Sequence, residues 1–229
     1  MSVQRNFEEK GCLFLKSVFD KETIEIFNKE IRDYMSINEI YTHIKKRQDI
    51  QEETFFVNNS YTSLNNFQKM QYYYLPVIDN RGCHNRQHDV GMIDIYNIQK
   101  LLPNIEKYFS VDVMINLLKK ITNKNWKLFR TNLHICSNVN NPIPFHTDNY
   151  ENTLKIMVYL SDIKTNNDGP PVFIEGTHIN NNNIKNDNIK IFYGEKGDAL
   201  ISYQSGLHKK MPQNNQSCGY LVFNFVDKF

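Results

Sequence analysis

The 229-residue sequence predicts an α+β protein in which a helical N-terminal half packs against a C-terminal β-sandwich or barrel. Three observations carry this expectation. In the first half, apolar residues recur at helical spacing with charges between them, as in Ile24, Phe27, Ile31 and Met35. Within 126–136 the two faces alternate: Trp126, Leu128, Arg130, Asn132 and His134 share one parity, while Phe129, Thr131, Leu133 and Ile135 share the other. Beyond that point the apolar runs are short and separated by Gly, Pro, Asn and Asp, the pattern of strands joined by turns.

Taken in order, residues 11–19 are a short apolar run of strand type. Asp20 then stands where an N-cap would, ahead of the helix that carries Ile24 to Met35. Residues 41–51 are polar, and their basic run Lys45-Lys46-Arg47 reads as a solvated helix face or loop. Residues 67–74 read as a helix stopped by Pro76. Residues 77–89 read as a loop, with Asp79-Asn80-Arg81-Gly82 as turn chemistry. Residues 105–121 are helical again. Strands are expected at 126–136, 154–160, 171–174, 189–193, 199–203 and 220–225. No internal repeat is present. The expected organisation is one domain over 1–229, with 1–125 as a mainly helical flank and lid and 126–229 as the β core.

Composition narrows the function classes. Hydrophobic residues make up 40% and charged residues 23%, ordinary values for a globular protein. Lys and Arg total 27 against 25 Asp and Glu, so the net charge of +2 argues against bulk attraction to nucleic acid. No run approaches the ~18 apolar residues of a membrane span, and the opening MSVQRNFEEK lacks an apolar signal segment. Cys12, Cys83, Cys136 and Cys218 are scattered without a C-x-x-C pair, which points to free thiols and a cytoplasmic setting rather than a disulfide scaffold or zinc ribbon. Asn clusters at 180–183 and 214–215 mark polar loops. Dinucleotide, P-loop and G-x-S-x-G signatures are absent from the sequence.

The strongest chemical signal is Phe145-His146-Thr147-Asp148, which follows the Pro-rich turn Asn141-Pro142-Ile143-Pro144. A second histidine, His208, comes sixty-two residues later, after the strand at 199–203. Two imidazoles and one carboxylate on one face leave three octahedral positions open, the arrangement a non-haem Fe(II) oxygenase needs for a bidentate cosubstrate and O₂. An isolated H-x-D is more often a surface loop, so its weight here comes from the strand context and the distal histidine. His84 and His88 have H-x-x-x-H spacing, but their surroundings read as loop and no third ligand accompanies them. Arg81, Arg86 and His88 on the same loop are candidates for contact with an anionic group, with plain exposure as the simpler reading. His178 reads as structural, through a loop hydrogen bond. Asp94, a carboxylate among apolar residues, reads as a cap or a structural partner.

These motifs belong to a longer series. Gly11-Cys-Leu-Phe-Leu precedes a helix, and Gly91-Met-Ile-Asp-Ile-Tyr96 follows. After His146-Thr-Asp148 come Tyr159-Leu-Ser-Asp162, Asp168-Gly-Pro170 and Glu175-Gly-Thr-His178. Gly197-Asp198, Ser205-Gly-Leu-His208, Met211-Pro-Gln213 and residues 220–225 complete the order. In content and spacing the series resembles the phytanoyl-CoA dioxygenase family of Fe(II)/2-oxoglutarate oxygenases, from about Gly11 to Phe225. The resemblance implies a double-stranded β-helix of jelly-roll, cupin-like type, with His146, Asp148 and His208 as the catalytic metal ligands. It also implies Fe(II) and 2-oxoglutarate as cofactors, and hydroxylation of a small-molecule substrate. An anionic substrate would suit Lys209 and Lys210, although solvated charges are the simpler reading of that pair.

One departure stands out. The family places an Arg ten or eleven residues beyond the distal histidine, where its guanidinium pairs with the far carboxylate of 2-oxoglutarate. Here those positions are Cys218 and Gly219, and no Arg or Lys occurs between Lys210 and Lys228. Three readings stay open. The anchor has moved, with Arg130 and Lys155 as candidates; Asn132 and His134 share the parity of Arg130, and Tyr159 shares that of Lys155 at a position the family sets beside 2-oxoglutarate. Alternatively the chain binds metal with a different acid or with none. Or it keeps the fold as a binding or scaffold protein. A cupin-like metal isomerase or hydrolase is a further, weaker alternative.

Overall fold

The structure, a computed structural model, describes residues 2–37, 54–57, 60–63, 77–81, 88–148, 152–180, 184–214 and 218–227. Helix α1 (Val3–Lys10) starts at Ser2, whose side chain accepts a hydrogen bond from Arg5 N, and closes on Gly11 at φ 78°. That left-handed cap needs glycine twice over, because a Cβ there would lie 2.2 Å from the His178 ring. Strand β1 (Cys12–Leu15) realises the apolar run. Asp20 caps α2 (Lys21–Ile37) by accepting from Thr23 N at 2.7 Å. Ile24, Phe27, Ile31 and Met35 are all buried, as their spacing requires.

Next come β2 (Thr54–Val57), β3 (Ser60–Ser63), β4 (Val77–Arg81) and β5 (Met92–Tyr96). The expected loop at 77–89 is therefore strand over its first five residues. The turn chemistry is local, whereas β4 is held by five register partners on β5, from Val77↔Tyr96 to Arg81↔Met92. The expected helix at 105–121 is divided into α3 (Ile105–Tyr108) and α4 (Val111–Thr122). Ser110 makes the division by capping α4, its side chain accepting from Val113 N. The basic run at 45–47 and the expected helix at 67–74 lie outside the described residues.

The remaining strands are β6 (Trp126–Cys136), β7 (Thr153–Tyr159), β8 (Pro171–Ile174), β9 (Ile189–Ile191), β10 (Ala199–Tyr203), β11 (His208–Lys210) and β12 (Cys218–Asp227). Among the described residues every strand pairing is antiparallel. The strands form a large sheet ordered β1-β10-β7-β12-β6-β5-β4-β2-β3 and a small one ordered β11-β8-β9. This is an α+β fold with an antiparallel jelly-roll core.

Alternation divides the large sheet's two faces. Leu133, Ile156, Val158, Ile201, Leu221 and Phe223 point outward and join one core with Phe27, Phe109 and Leu118 of the helical flank. The intervening residues Met157, Tyr159, Leu200, Tyr220 and Val222 point inward and meet Phe173 of β8. Burying a Phe or Leu side chain stabilises by roughly 1.5–3 kcal/mol, so both faces contribute and a one-residue register slip would exchange them. Among the described residues no helix is long and apolar enough to cross a membrane.

Candidate metal centre and its cavity

His208 opens β11, and His146 lies beside it in an isolated antiparallel bridge. The two residues exchange backbone hydrogen bonds, His146 N to His208 O at 3.0 Å and His208 N to His146 O at 2.9 Å. Two residues further on, Asp148 N donates to Gln204 O at 3.0 Å. The main chain thus brings the three side chains to one place. One ligand atom from each of His146, Asp148 and His208 lies within 4.8 Å of the others.

The ring orientations are set from behind. His146 Nδ1 meets Pro144 O at 2.8 Å, and His208 Nδ1 meets Gly206 O at 2.9 Å. A carbonyl can only accept, so each Nδ1 donates and Nε2 is the ring atom turned toward the centre. His146 Nε2 is 3.8 Å from Asp148 Oδ1, and His208 Nε2 is 3.5 Å from Asp148 Oδ2. Two imidazoles and a carboxylate, with open space in front, fit a divalent transition metal.

Lys155 enters the same centre. Its Nζ donates to Asp148 Oδ2 at 3.0 Å and to His208 Nε2 at 2.8 Å. Burial alone would raise the Asp148 carboxyl; the Lys155 ammonium and the contact with His208 outweigh it and hold Asp148 well below the usual carboxylate range. Burial and the Lys155 charge together push His208 below its ordinary value.

The centre opens into a cavity of about 330 Å³ between the sheets. Of the residues singled out in the sequence, Arg130, Asn132, His134 and Lys155 line it alongside the triad. Arg130 stacks over Tyr96, 5.0 Å from the ring centroid. His134 Nδ1 stands 3.2 Å from Asp94 Oδ1, so Asp94 is a structural partner inside the barrel. Tyr159 is fully buried behind the wall and donates its hydroxyl to Phe192 O at 2.9 Å. His178 packs elsewhere, its Nε2 2.9 Å from Glu8 O. His88 is half-buried; His84, Arg86 and the Arg81 side chain lie outside the described residues.

Three further polar residues of the lining carried no sequence signal, Ser202, Gln204 and Asn224, while Lys209 and Lys210, the pair expected to suit an anionic group or to be solvated, line the cavity too. Ser202 and Asn224 are register partners of Lys155 from either side, a row that only the pairing reveals. Lys210 did carry a signal, since it stands two residues after His208 and so shares its face. It is half-buried rather than solvated. Its Nζ lies 4.8 Å from the Tyr220 ring centroid and 3.6 Å from Cys136 Sγ. Burial opposes its charge, but the fields of Cys136, Cys218, Asp94 and Asp89 outweigh burial and lift it above the ordinary lysine value. Cys218 is buried directly opposite Cys136 in the register.

No protein-family model and no curated protein sequence matches this chain. Solved structures do. HygX from Streptomyces hygroscopicus, with nickel, 2-oxoglutarate and hygromycin B bound, superposes with a TM-score of 0.66 at 13% identity, covering 100% of this chain and 88% of HygX. The protein has the fold of a non-haem 2-oxoglutarate-dependent enzyme. EvdO2 from Micromonospora carbonacea var. aurantiaca, complexed with 2-oxoglutarate, gives a TM-score of 0.67 at 11% identity over 98% of this chain and 89% of its own. SnoN, a non-haem α-ketoglutarate-dependent epimerase of nogalamycin biosynthesis, gives 0.62 at 11% identity over 98% and 81%.

Proposed function

We propose that this protein is an Fe(II)- and 2-oxoglutarate-dependent oxygenase that hydroxylates a small molecule. The observation that carries the reading is the convergence of His146, Asp148 and His208 with both Nδ1 atoms tied to backbone carbonyls. That arrangement delivers three donors at once, of the types an Fe(II) oxygenase uses. Sharing a fold with enzymes solved with 2-oxoglutarate adds support, as does the cavity in front of the donors. The order of motifs from Gly11 to Phe225 supports a phytanoyl-CoA dioxygenase-like member within that fold.

When bound, Fe(II) with 2-oxoglutarate and O₂ supplies the oxidising power for attack on a C–H bond. The chain's own work is holding, orienting and drying. His146, Asp148 and His208 hold the metal. Phe173, Leu200 and Val222 give the cavity an apolar wall that excludes water. Arg130 and Asn132 offer a guanidinium and an amide to a polar or anionic substrate group. The buried free thiols Cys12, Cys136 and Cys218 suit a reducing cytoplasm.

The second reading is a metal-binding or scaffold protein without 2-oxoglutarate turnover, favoured by Cys218 and Gly219 at the family's Arg position. Anaerobic titration of the Fe(II)-loaded protein with 2-oxoglutarate, followed by succinate assay in air, separates the two. Micromolar binding, about −8 kcal/mol, together with succinate release supports the oxygenase. Metal binding without either supports the second reading. Full retention of iron by His146→Ala would remove the basis of both.

A further inference from the structure

We infer that Lys210 is the anchor for the far carboxylate of the dicarboxylate cosubstrate, replacing from the small sheet the Arg missing at Cys218. The inference rests on the oxygenase reading above.

Four cations line the cavity, Arg130, Lys155, Lys209 and Lys210, and their positions differ; Lys209 lies over the Phe145 ring, 4.6 Å from its centroid. Lys155 Nζ is in hydrogen-bond contact with two of the metal-facing donors, Asp148 and His208. It stands where the metal end of a chelating 2-oxo acid must be, which leaves no length of ligand between it and the metal. Arg130 stacks on Tyr96 and Phe129, at 5.0 and 5.8 Å from the ring centroids. In the register it shares a row with Asn224 and Lys155, six residues along β6 from Cys136. Neither reaches the space beside Cys218.

Lys210 does. His208 and Lys210 are i and i+2 on β11, so their side chains leave the same face roughly 6.6 Å apart along the strand. A five-carbon diacid chelated at the His208 end covers such a span with its second carboxylate. From there the lysine crosses the cavity to the opposite sheet and ends over Tyr220, 3.6 Å from Cys136 Sγ. Cys136 is the register partner of Cys218. The ammonium therefore occupies the room that the short side chain of Cys218 leaves free. Among the described residues Lys210 forms no ion pair; its Nζ meets a thiol and a ring face, and Asp94 and Asp89 act on it only at longer range. A cation so placed inside a cavity is matched by an anionic ligand group.

The test uses the whole Mn(II)-loaded protein under argon and two calorimetric probes. One is 2-oxoglutarate; the other is 2-oxopentanoate, which has the same chelating end and chain length but no second carboxylate. Lys210→Met is expected to weaken 2-oxoglutarate binding at least 30-fold while changing Mn(II) and 2-oxopentanoate affinities less than threefold. Lys210→Arg should hold 2-oxoglutarate within tenfold of the parent. If Lys210→Met does not fold, Lys210→Gln takes its place with the same expectation. Unchanged 2-oxoglutarate affinity overturns the inference, and so does an equal loss for both probes, which would mark a structural effect. If the parent protein binds Mn(II) but neither probe, the oxygenase reading itself falls and this assignment with it.

Discussion

Replacing Lys155 by methionine is expected to tighten divalent-metal binding. Its Nζ makes two contacts in the centre, to Asp148 Oδ2 at 3.0 Å and to His208 Nε2 at 2.8 Å. A metal held by Asp148 and His208 needs those same lone pairs, so the ammonium must surrender both bonds before ligation. Hydrogen bonds to a charged group contribute roughly 1.5–3 kcal/mol each. Lys155 is only 8% exposed and lies between Ser202 and Asn224 in the register, so on withdrawing it regains part of that from polar neighbours. Allowing half to be recovered leaves about 1.5–3 kcal/mol, or an affinity gain of roughly 10- to 100-fold in the methionine variant. Methionine keeps the length of the side chain and adds no donor. Anaerobic calorimetry with Mn(II) on parent and variant reads the difference directly. An unchanged or weaker Mn(II) affinity in the variant would refute the argument. A loss of 2-oxoglutarate affinity with Mn(II) affinity intact would restore Lys155 as the cosubstrate anchor.

Two other outcomes follow from the same centre. A Cβ at Gly206 would come within 2.2 Å of the Phe173 ring, so Gly206→Ala should cost about 1–3 kcal/mol of stability by overpacking. Because Gly206 O fixes the His208 ring, metal affinity should fall as well; denaturant midpoints and metal titration check both, and a variant matching the parent in each would count against the packing described. In the metal-free protein, stability should decline in two stages on acidification below neutrality. His178 and His208 are lowered from 6.5, His178 chiefly by burial and His208 by burial and Lys155, so the unfolded chain binds protons first and stability falls as pH drops through 6.5. Asp148 and Asp198 are lowered from 3.8 despite burial, so their contribution is present above that value and is lost below it. Chemical denaturation from pH 8 to 3 is the assay, and a rise in stability between pH 7 and 5 would contradict the histidine assignments.

Much of the architecture is legible in the sequence because its signals are local. The alternation at 126–136, the N-cap at Asp20 and the helical spacing of Ile24 to Met35 each need only a few neighbouring residues. The strand at Val77–Arg81 was hidden because its stability comes from β5, while its own residues favour a turn. The cavity shows the same division. His146 and Asp148 are close in sequence, and His208 stands out after a strand, so the triad can be picked out by pattern. The row Ser202–Lys155–Asn224 exists only through register between three strands. Lys155 among the metal-facing atoms, rather than deeper along the wall, depends on how far a flexible side chain reaches, which parity alone does not encode. Tyr159 shows the limit of parity from the other side, since it points inward as expected yet is covered by neighbours and bonds to Phe192.

The bridge between His146 and His208 is made of two peptide hydrogen bonds, and peptides are the same whatever side chains they carry. The distance between the two imidazole-bearing positions is thus inherited with the chain's topology and not with its composition. A lineage on this scaffold can exchange the residues of the cavity wall one at a time, and its substrate with them, without having to rediscover how to space the two histidines. The centre can in this way outlast the loss of recognisable sequence kinship.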